Sequence, residues 1–197
     1  MNKKKLQSEQ TKKKVADASR ALFVQKGYKA TSIEDIVAAT GSSKGNIYYH
    51  FKSKEGLFLY LIGEWDREWE QKWQEKESLY TTSTEKLYGF AEQMVLDDLN
   101  HPLTKAADEF FRNEEKENDI EERISEMVAG HLRFNQQLIQ QGIENGEFKH
   151  NNVENLAIIL ESLIIGLSQM SRKSNQEDVL ILYNQAIRVF LHGIADN

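Results

Sequence analysis

The chain has 197 residues with one proline and no cysteine, and 40% of its residues are hydrophobic while 28% are charged. This composition suits one large or two small globular domains and excludes disordered, collagen-like and disulfide-stapled proteins. Without cysteine there is no thiolate metal site and no Cys nucleophile, which removes several enzyme classes. No apolar run approaches the roughly 20 residues of a membrane span. No apolar signal core follows the lysine-rich start, so we expect a cytoplasmic protein without a membrane partner.

The net charge of −6 conceals a large difference along the chain. Residues 1–60 contain twelve basic and five acidic residues, a net charge of +7, which leaves −13 for the remainder. This asymmetry favours a polyanionic partner for the N-terminal part alone, because phosphate neutralisation requires clustered cations. A lysine-rich segment that is merely solvated is the alternative, especially for residues 3–5 and 12–14.

Apolar residues recur at helical spacing along almost the whole chain, which predicts an all-α protein. About nine helices are expected, over residues 10–26, 33–39, 44–51, 54–77, 85–99, 103–113, 121–145, 153–171 and 177–193. Gly27, Gly41 and Gly146 lie where helices should end. The sequence therefore predicts a three-helix basic domain over residues 1–56, joined through the long fourth helix to a larger acidic domain over residues 57–197.

Two short helices separated by a glycine turn are predicted between Thr31 and Phe51. A hydroxyl of Thr31 or Ser32 can cap the first helix, and Gly41 lies in the turn. In the second helix Ile47 and Phe51 are four residues apart and can face the core, while its polar residues can meet base edges or phosphates. This layout is that of a helix-turn-helix.

The segments ATSIEDI at residues 30–36 and GSSKGNIYYHFKSKEGL at residues 41–57 resemble the DNA-binding domain of TetR-family transcriptional repressors. The similarity covers roughly residues 12–76, and the segment EWDREWEQKWQ is similar to the fourth helix of multidrug-binding members. Ser42 departs from the general family pattern, where an aliphatic residue is common. The resemblance implies major-groove contacts by Ser42, Ser43, Lys44, Gly45, Asn46, Tyr49 and His50, and phosphate contacts by Thr31, Ser32, Tyr48, Lys52 and Lys54. Core packing is an alternative role for Tyr48.

Three tryptophans at a spacing of four share one face of the fourth helix. Later helices add aromatic and thioether side chains with acids close by in sequence, which suits a cavity for an organic cation. Core packing of the rings and solvation of the acids are the alternatives. The resemblance implies an effector pocket in this domain, although Trp65, His101 and Val128 depart from the drug-binding members. The predicted ligand-binding residues are Trp65, Asp66, Trp69, Phe90, Met94, Asp98, Phe110, Phe111 and His131.

The last two predicted helices carry more apolar surface than one core face requires. Pairing with a two-fold mate would bury that excess in a four-helix bundle, which is the TetR-like dimer arrangement, and a buried core hairpin is the alternative. The predicted interface residues are Leu160, Leu163, Ile164, Leu167, Tyr183, Ile187 and Phe190. Such a homodimer would place two recognition helices about 34–36 Å apart, which suits a near-palindromic operator in double-stranded DNA.

The leading hypothesis is a repressor that a small lipophilic effector releases from its operator, with a cationic effector as one possibility. The alternative is a constitutive DNA-binding regulator whose C-terminal core is packed and binds no ligand. An enzyme is the weakest of the three hypotheses, because the five histidines are scattered without metal-ligand spacing and no glycine-rich phosphate loop is present. We expect no cofactor and no metal.

Overall fold

The computed structural model describes residues 3–98, 101–112, 116–172 and 174–194, without the side chains of Lys3, Lys4, Asp98 and Ile194. The regular elements of these residues are nine α-helices and one π-helical turn, Met94–Asp98. The helices are α1 (Lys3–Lys26), α2 (Ile33–Thr40), α3 (Lys44–Phe51), α4 (Lys54–Glu77), α5 (Ser83–Gln93), α6 (Thr104–Phe111), α7 (Asn118–Glu144), α8 (Val153–Met170) and α9 (Gln176–Ile194). The all-α prediction is confirmed.

The chain divides into two compact units. The N-terminal unit comprises Met1–Arg67 with Pro102–Ile124, and the C-terminal unit comprises Glu68–His101 with Ser125–Asn197. The division falls within α4, and α6 belongs to the N-terminal unit although the sequence predicts it in the acidic domain. The reason is packing, because the α6 residue Phe110 lies in the N-terminal core. The functional boundary at residue 56 stays a prediction.

Four aromatic rings form the centre of the N-terminal unit. The ring of Phe58 on α4 lies 4.9 Å from the rings of Phe23 and Tyr28, and 5.1 Å from that of Phe110. Tyr28 and Phe110 also meet edge to face at 5.0 Å. Such edge-to-face and tilted contacts are favourable for aromatic pairs. They attach α1, α4 and α6 to one core.

The C-terminal unit has a larger apolar core, to which α4, α5, α7, α8 and α9 contribute. The start of α5 is set by a capping box, in which Thr82 and Glu85 satisfy the first amides of that helix. The carboxylate of Glu147 accepts hydrogen bonds from the amides of Ser83 at 2.8 Å and Thr84 at 3.1 Å, so both of its oxygens serve the same helix terminus. Burial raises the pKa of Glu147, but these amide bonds outweigh burial and leave the pKa below its ordinary value.

Candidate nucleic-acid interface and aromatic cluster

The turn between α2 and α3 has the geometry that the sequence predicts. Ser32 caps α2 in a capping box with Asp35, and Gly41 ends that helix at φ 67°, in the left-handed region that favours glycine. Ser43 then caps α3 by accepting a hydrogen bond from the amide of Asn46 at 3.2 Å. The ammonium of Lys26 and the capping contacts from Ser32 hold the pKa of Asp35 well below its usual range. The two helices are therefore fixed by local bonds.

α3 is short, yet it separates a buried face from an exposed one. Ile47 and Phe51 are 1% and 4% exposed, whereas Tyr48 and Tyr49 are 40% and 72% exposed. Because the apolar pair attaches α3 to the unit, the tyrosines remain on the outward face. Tyr48 is thus not a core residue. The other predicted DNA contacts that are exposed are Ser43, Lys44, Gly45 and Lys52, and those that are partly exposed are Ser32, Ser42, Asn46 and His50.

Thr31 does not have the phosphate-binding role that the resemblance implies. Its side chain is fully buried, and its Oγ1 donates a hydrogen bond to the carbonyl oxygen of Gly27 at 2.7 Å. A buried hydroxyl cannot reach a phosphate without unfolding the loop around it. Thr31 therefore fixes the connection between α1 and α2, and its predicted DNA contact is wrong.

The side chain of Lys54 likewise makes its hydrogen bonds within the protein. Its ammonium donates hydrogen bonds to the carbonyl oxygens of Tyr28 at 3.1 Å and Thr31 at 3.0 Å, and it lies 4.3 Å from the centre of the Tyr28 ring. Burial lowers the pKa of Lys54, although nearby Glu55 and Glu109 oppose that effect. The ammonium stabilises the loop before α2, so we correct its predicted phosphate contact to a structural one.

Replacing Lys52 and Lys54 separately is expected to distinguish these two roles. Lys52→Gln should reduce the slope of log affinity for DNA against log salt by about 0.9 for each phosphate that is no longer neutralised, with unchanged stability. Lys54→Met should leave that slope unchanged and lower the free energy of unfolding by about 1.5–3 kcal/mol, because two carbonyls are deprived of a charged donor. Affinity at four salt concentrations and urea unfolding measure both effects. A reduced salt slope with unchanged stability for the Lys54 variant, together with lost stability for the Lys52 variant, would contradict the structure.

The C-terminal unit contains a compact cluster of aromatic rings, which we define as Trp69, Trp73, Phe90 and Phe134. The two indoles stack with centroids 6.0 Å apart and planes at 4°. Phe134 meets Trp69 edge-on at 5.3 Å and Trp73 at 5.5 Å. Phe90 lies 5.8 Å from Trp69 and 5.6 Å from Phe134. Two of the three tryptophans of the predicted stripe on α4, Trp69 and Trp73, therefore pack against α5 and α7 within this unit.

The predicted ligand residues are divided between the two units. Trp69 and Phe90 belong to the aromatic cluster, Met94 packs against the surrounding core, and His131 contacts the Glu161 carboxylate at 3.1 Å. Trp65, Asp66, Phe110 and Phe111 lie in the N-terminal unit. Phe110 is 1% exposed and serves the core of that unit, which corrects its predicted ligand contact. The side chain of Asp98 lies outside the described residues.

A surface cleft of about 520 Å³ opens elsewhere in the C-terminal unit. Its lining residues are Leu79, Tyr80, Thr81, Glu85, Tyr88, Gly89, Glu92, Leu180 and Asn184. Gly89 allows the Tyr80 ring to pack against α5, because a Cβ there would lie 2.1 Å from that ring. None of the predicted ligand residues lines this cleft.

The predicted dimer residues on α8 and α9 are mostly core residues. Leu160, Ile164, Tyr183, Ile187 and Phe190 are buried within this chain, and Leu163 and Leu167 are partly buried against the same core. A side chain that one chain already covers has no surface left for a second copy, so the predicted interface is wrong at the five buried positions. The exposed large apolar residues of α8 and α9 are Ile158, Ile159, Ile165, Met170, Ile181, Leu182 and Val189.

α8 is long and apolar enough to cross a membrane by length and composition alone, with a mean hydropathy of 1.4 over its 18 residues. A core helix of a soluble protein passes the same test, although only 22% of this window is buried inside the chain. Two observations favour that interpretation. α8 supplies Leu156, Leu160 and Ile164 to the core, and its Glu161 accepts a hydrogen bond from Asn135 at 2.9 Å.

The fold and the α2–turn–α3 geometry define a helix-turn-helix regulator, and comparison with known proteins shows its family. Residues 15–61 match the model of bacterial regulatory proteins of the tetR family, and residues 65–196 match that of the QacR-like protein C-terminal region. The chain belongs to the TetR family, and within it to the QacR-like group. TetR-family regulators bind operator DNA, dimerise and bind small-molecule effectors.

Individual relatives agree with this assignment. The HTH-type transcriptional regulator QacR of Staphylococcus aureus is 30% identical over 93% of this chain and 98% of that protein. A TetR-family regulator from Mesorhizobium loti has a TM-score of 0.77 at 18% identity, covering 96% and 98% of the two chains. The regulator FadR of Bacillus subtilis, solved with stearoyl-CoA, has a TM-score of 0.75 at 21% identity, covering 91% and 97%. All three are transcriptional regulators and not enzymes.

Sequence reasoning missed a contact that ties α6 to the end of α1. The Glu109 carboxylate accepts a hydrogen bond from the amide of Lys29 at 2.9 Å, and it lies where a Cβ of Gly27 would clash at 2.6 Å. Gly27 has φ 84°, so this position requires glycine for its backbone as well as for space. Gly27 could be recognised from the sequence as the end of a helix, but its contact with Glu109 could not be predicted, because Glu109 is about 80 residues away in sequence.

Proposed function

We propose that this protein is a DNA-binding transcriptional repressor whose affinity for a near-palindromic operator falls when a small lipophilic effector binds its C-terminal unit. The observation that carries the DNA-binding part is the outward face of α3, where Tyr48, Tyr49 and Lys44 are exposed and Ile47 and Phe51 hold the helix. A helix presented in this way fits the major groove. The cytoplasm is the compartment in which such a regulator meets its operator.

Several exposed donors on α3 and at its ends would contact base edges or phosphates. Lys44 pairs with Glu34 at 3.1 Å, but both side chains are more than half exposed, so this ion pair contributes little stability. A phosphate can displace Glu34 from Lys44 at small cost. Lys52, with φ 70°, and Ser43 provide further donors at the two ends of α3.

The effector response is supported by the position of the aromatic cluster. Trp69 and Trp73 belong to α4, the helix that begins at Lys54 beside the DNA-binding elements. An effector that binds the DNA-incompetent conformation more tightly shifts the equilibrium towards it, and a coupling of about 1–3 kcal/mol changes occupancy roughly 5- to 150-fold. The FadR relative was solved with an acyl-CoA, which is consistent with a lipophilic ligand in this fold.

A constitutive regulator is the second candidate, and one observation favours it. Trp73 and Phe90 are each 4% exposed and pack closely with Phe134. Close packing of buried aromatic rings is also what a core that binds no ligand requires.

One titration distinguishes the two candidates. Tetraphenylphosphonium, a lipophilic cation, and 2-(2-naphthyl)ethanol, a neutral lipophile, are added to the protein bound to a labelled operator duplex selected by the protein itself. Tryptophan fluorescence and DNA anisotropy are followed together. The proposal predicts that at least one compound changes both signals with the same midpoint. Binding without release of DNA, or no binding by either compound, supports the constitutive regulator.

We also propose that a second copy of the chain covers the exposed apolar face of α8 and α9. Ile158 and Ile165 on α8, with Ile181 and Val189 on α9, are 45–62% exposed, so the core of this chain does not cover them. Two such helix pairs related by a two-fold axis form a four-helix bundle.

The double variant Ile181→Glu/Val189→Glu is expected to abolish dimerisation, because four carboxylates would be buried at a two-fold interface. Sedimentation velocity at micromolar concentration should give twice the chain mass for the wild type and the chain mass for the variant. Leu79→Glu, a change at a 74% exposed site outside α8 and α9, is the control and should remain dimeric. A monomeric wild type would overturn the proposed dimer, and association only with anionic lipid vesicles would point to a membrane instead.

A further inference from the structure

The first turns of α1 carry a dense positive charge. Residues 3–14, which we call the lysine segment, contain six lysines and a single acid, Glu9. The segment is helical, because α1 begins at Lys3, yet the first buried residue among those described is Val15. The match to the tetR family model also begins at residue 15. The lysine segment therefore extends α1 by about three turns beyond the part that packs in the core.

One face of the lysine segment continues the buried face of α1. Lys5, Lys12, Ala16 and Phe23 are separated by seven, four and seven residues, so they lie within about 20° of one line along the helix. Ala16 and Phe23 are each 1% exposed, whereas Lys12 is partly exposed and Lys5 is exposed. Where α1 leaves the core, the buried line of residues thus continues as Lys5 and Lys12, which we call the cationic stripe.

The position of Lys12 places the cationic stripe beside the end of α3. The Lys12 ammonium lies 4.4 Å from the centre of the Tyr60 ring on α4. The Tyr60 ring meets that of Phe51 at 5.3 Å, and Phe51 is the last residue of α3. Lys5 lies seven residues before Lys12, or about 10 Å further along α1. The cationic stripe therefore begins close to the C-terminal end of α3 and continues along α1.

The charges of the cationic stripe are available to a partner. The ion pairs of the described residues leave Lys5 and Lys12 without a carboxylate, whereas Lys26 and Lys44 pair with acids of α2. The contact of Lys12 with the Tyr60 ring does not neutralise its charge. Uncompensated cations beside a helix that reads DNA favour a polyanion, and duplex DNA carries one negative charge for about every 1.7 Å of its axis.

We propose that the lysine segment contacts the phosphate backbone of the DNA that flanks the half-site read by α3. Lys5 and Lys12 neutralise phosphates of that flanking duplex and release the counterions condensed on them. Because every base pair carries the same phosphates, this contact adds affinity without sequence specificity. A stripe of about 10 Å spans about three base pairs. The inference rests on the proposed DNA binding and extends the contact with DNA beyond the operator half-sites.

The test compares two labelled duplexes by fluorescence anisotropy at about 0.1 M salt. Both contain the operator that the wild-type protein selects. One duplex ends at the outermost enriched base pair, and the other continues for about ten unselected base pairs on each side. The full-length wild type should bind the longer duplex about tenfold more tightly. Lys5→Glu should reduce this ratio to about one, while its affinity for the shorter duplex stays within about twofold of the wild type.

Lys14→Glu is the matched control, because Lys14 is also exposed and lies about 180° from Lys5 around α1. It should keep the tenfold ratio, since charges more than about 10 Å away are largely screened at this salt concentration. Both variants should also keep the thermal midpoint of the wild type, because neither side chain is buried.

Four outcomes would overturn the inference. Equal affinity of the wild type for the two duplexes would do so and leave the proposed function intact, whereas binding of neither duplex would overturn both. Loss of the ratio in Lys14→Glu as well would show a general effect of charge rather than a contact by one face. A lower thermal midpoint for Lys5→Glu with the ratio retained would give Lys5 a structural role. Equal affinity for the two duplexes together with binding to phosphatidylglycerol vesicles would assign the lysine segment to a membrane.

Discussion

Tyr49→Ala is expected to weaken operator binding by about 10- to 100-fold while the protein remains folded. Tyr49 is 72% exposed on the outward face of α3, and its ring lies 5.0 Å from that of His50. Because the side chain contributes little to the core, its removal should leave the thermal midpoint within about 2 °C of the wild type. Fluorescence anisotropy with a duplex selected by the wild-type protein, at one fixed salt concentration, measures the affinity.

Leu79→Ala is the matched control, because Leu79 is equally exposed, at 74%, but lies in the C-terminal unit. It should leave the affinity for DNA unchanged. A Tyr49 variant that binds as tightly as the wild type would remove Tyr49 from the proposed interface. A Tyr49 variant that unfolds would show that the outward face of α3 has a structural role.

Phe110→Ala is expected to lower the free energy of unfolding by about 3–5 kcal/mol, the usual cost of removing a buried aromatic side chain. Its ring is 1% exposed and contacts Tyr28 at 5.0 Å and Phe58 at 5.1 Å, so truncation leaves a cavity in the centre of the N-terminal unit. Urea unfolding followed by circular dichroism measures the change.

The neighbouring Phe111 provides the control for this experiment, because it is 42% exposed. Phe111→Ala should cost about 1 kcal/mol or less. If Phe110→Ala instead left stability unchanged and abolished effector binding, Phe110 would be a ligand residue, as the sequence suggests, and the core described for the N-terminal unit would be wrong.

The helix-turn-helix could be predicted closely because its signals are local. The bounds Lys44–Phe51 and Lys54–Glu77 are the predicted ones, and Ser32, Gly41 and Ser43 end or begin helices as their residue types indicate. Caps and left-handed glycines act within four residues, so the sequence shows both partners. α5 begins earlier than predicted, at Ser83, because its capping box uses Thr82 with Glu85.

The errors have a common physical origin, which is that burial depends on residues distant in sequence. Lys54 and Thr31 resemble phosphate ligands by residue type and position. In the fold, however, the Lys54 ammonium donates a hydrogen bond to the carbonyl oxygen of Tyr28, and the Thr31 hydroxyl donates one to that of Gly27. On α8 and α9 apolar residues surround much of each helix, so periodicity could not say which face packs inside the chain. Leu160 and Ile158 are chemically alike, and only the fold buries the first and exposes the second.

Two copies of α3, one from each subunit, are expected to read one DNA site. The most direct measurement is selection of duplexes from a random library by the purified full-length chain at low salt, followed by sequencing of the bound fraction. A dimer that reads DNA with both α3 helices should enrich an inverted repeat whose half-sites are centred about 10–10.5 base pairs apart or a multiple of that spacing. No enrichment, or enrichment of a single unrepeated site, would contradict it.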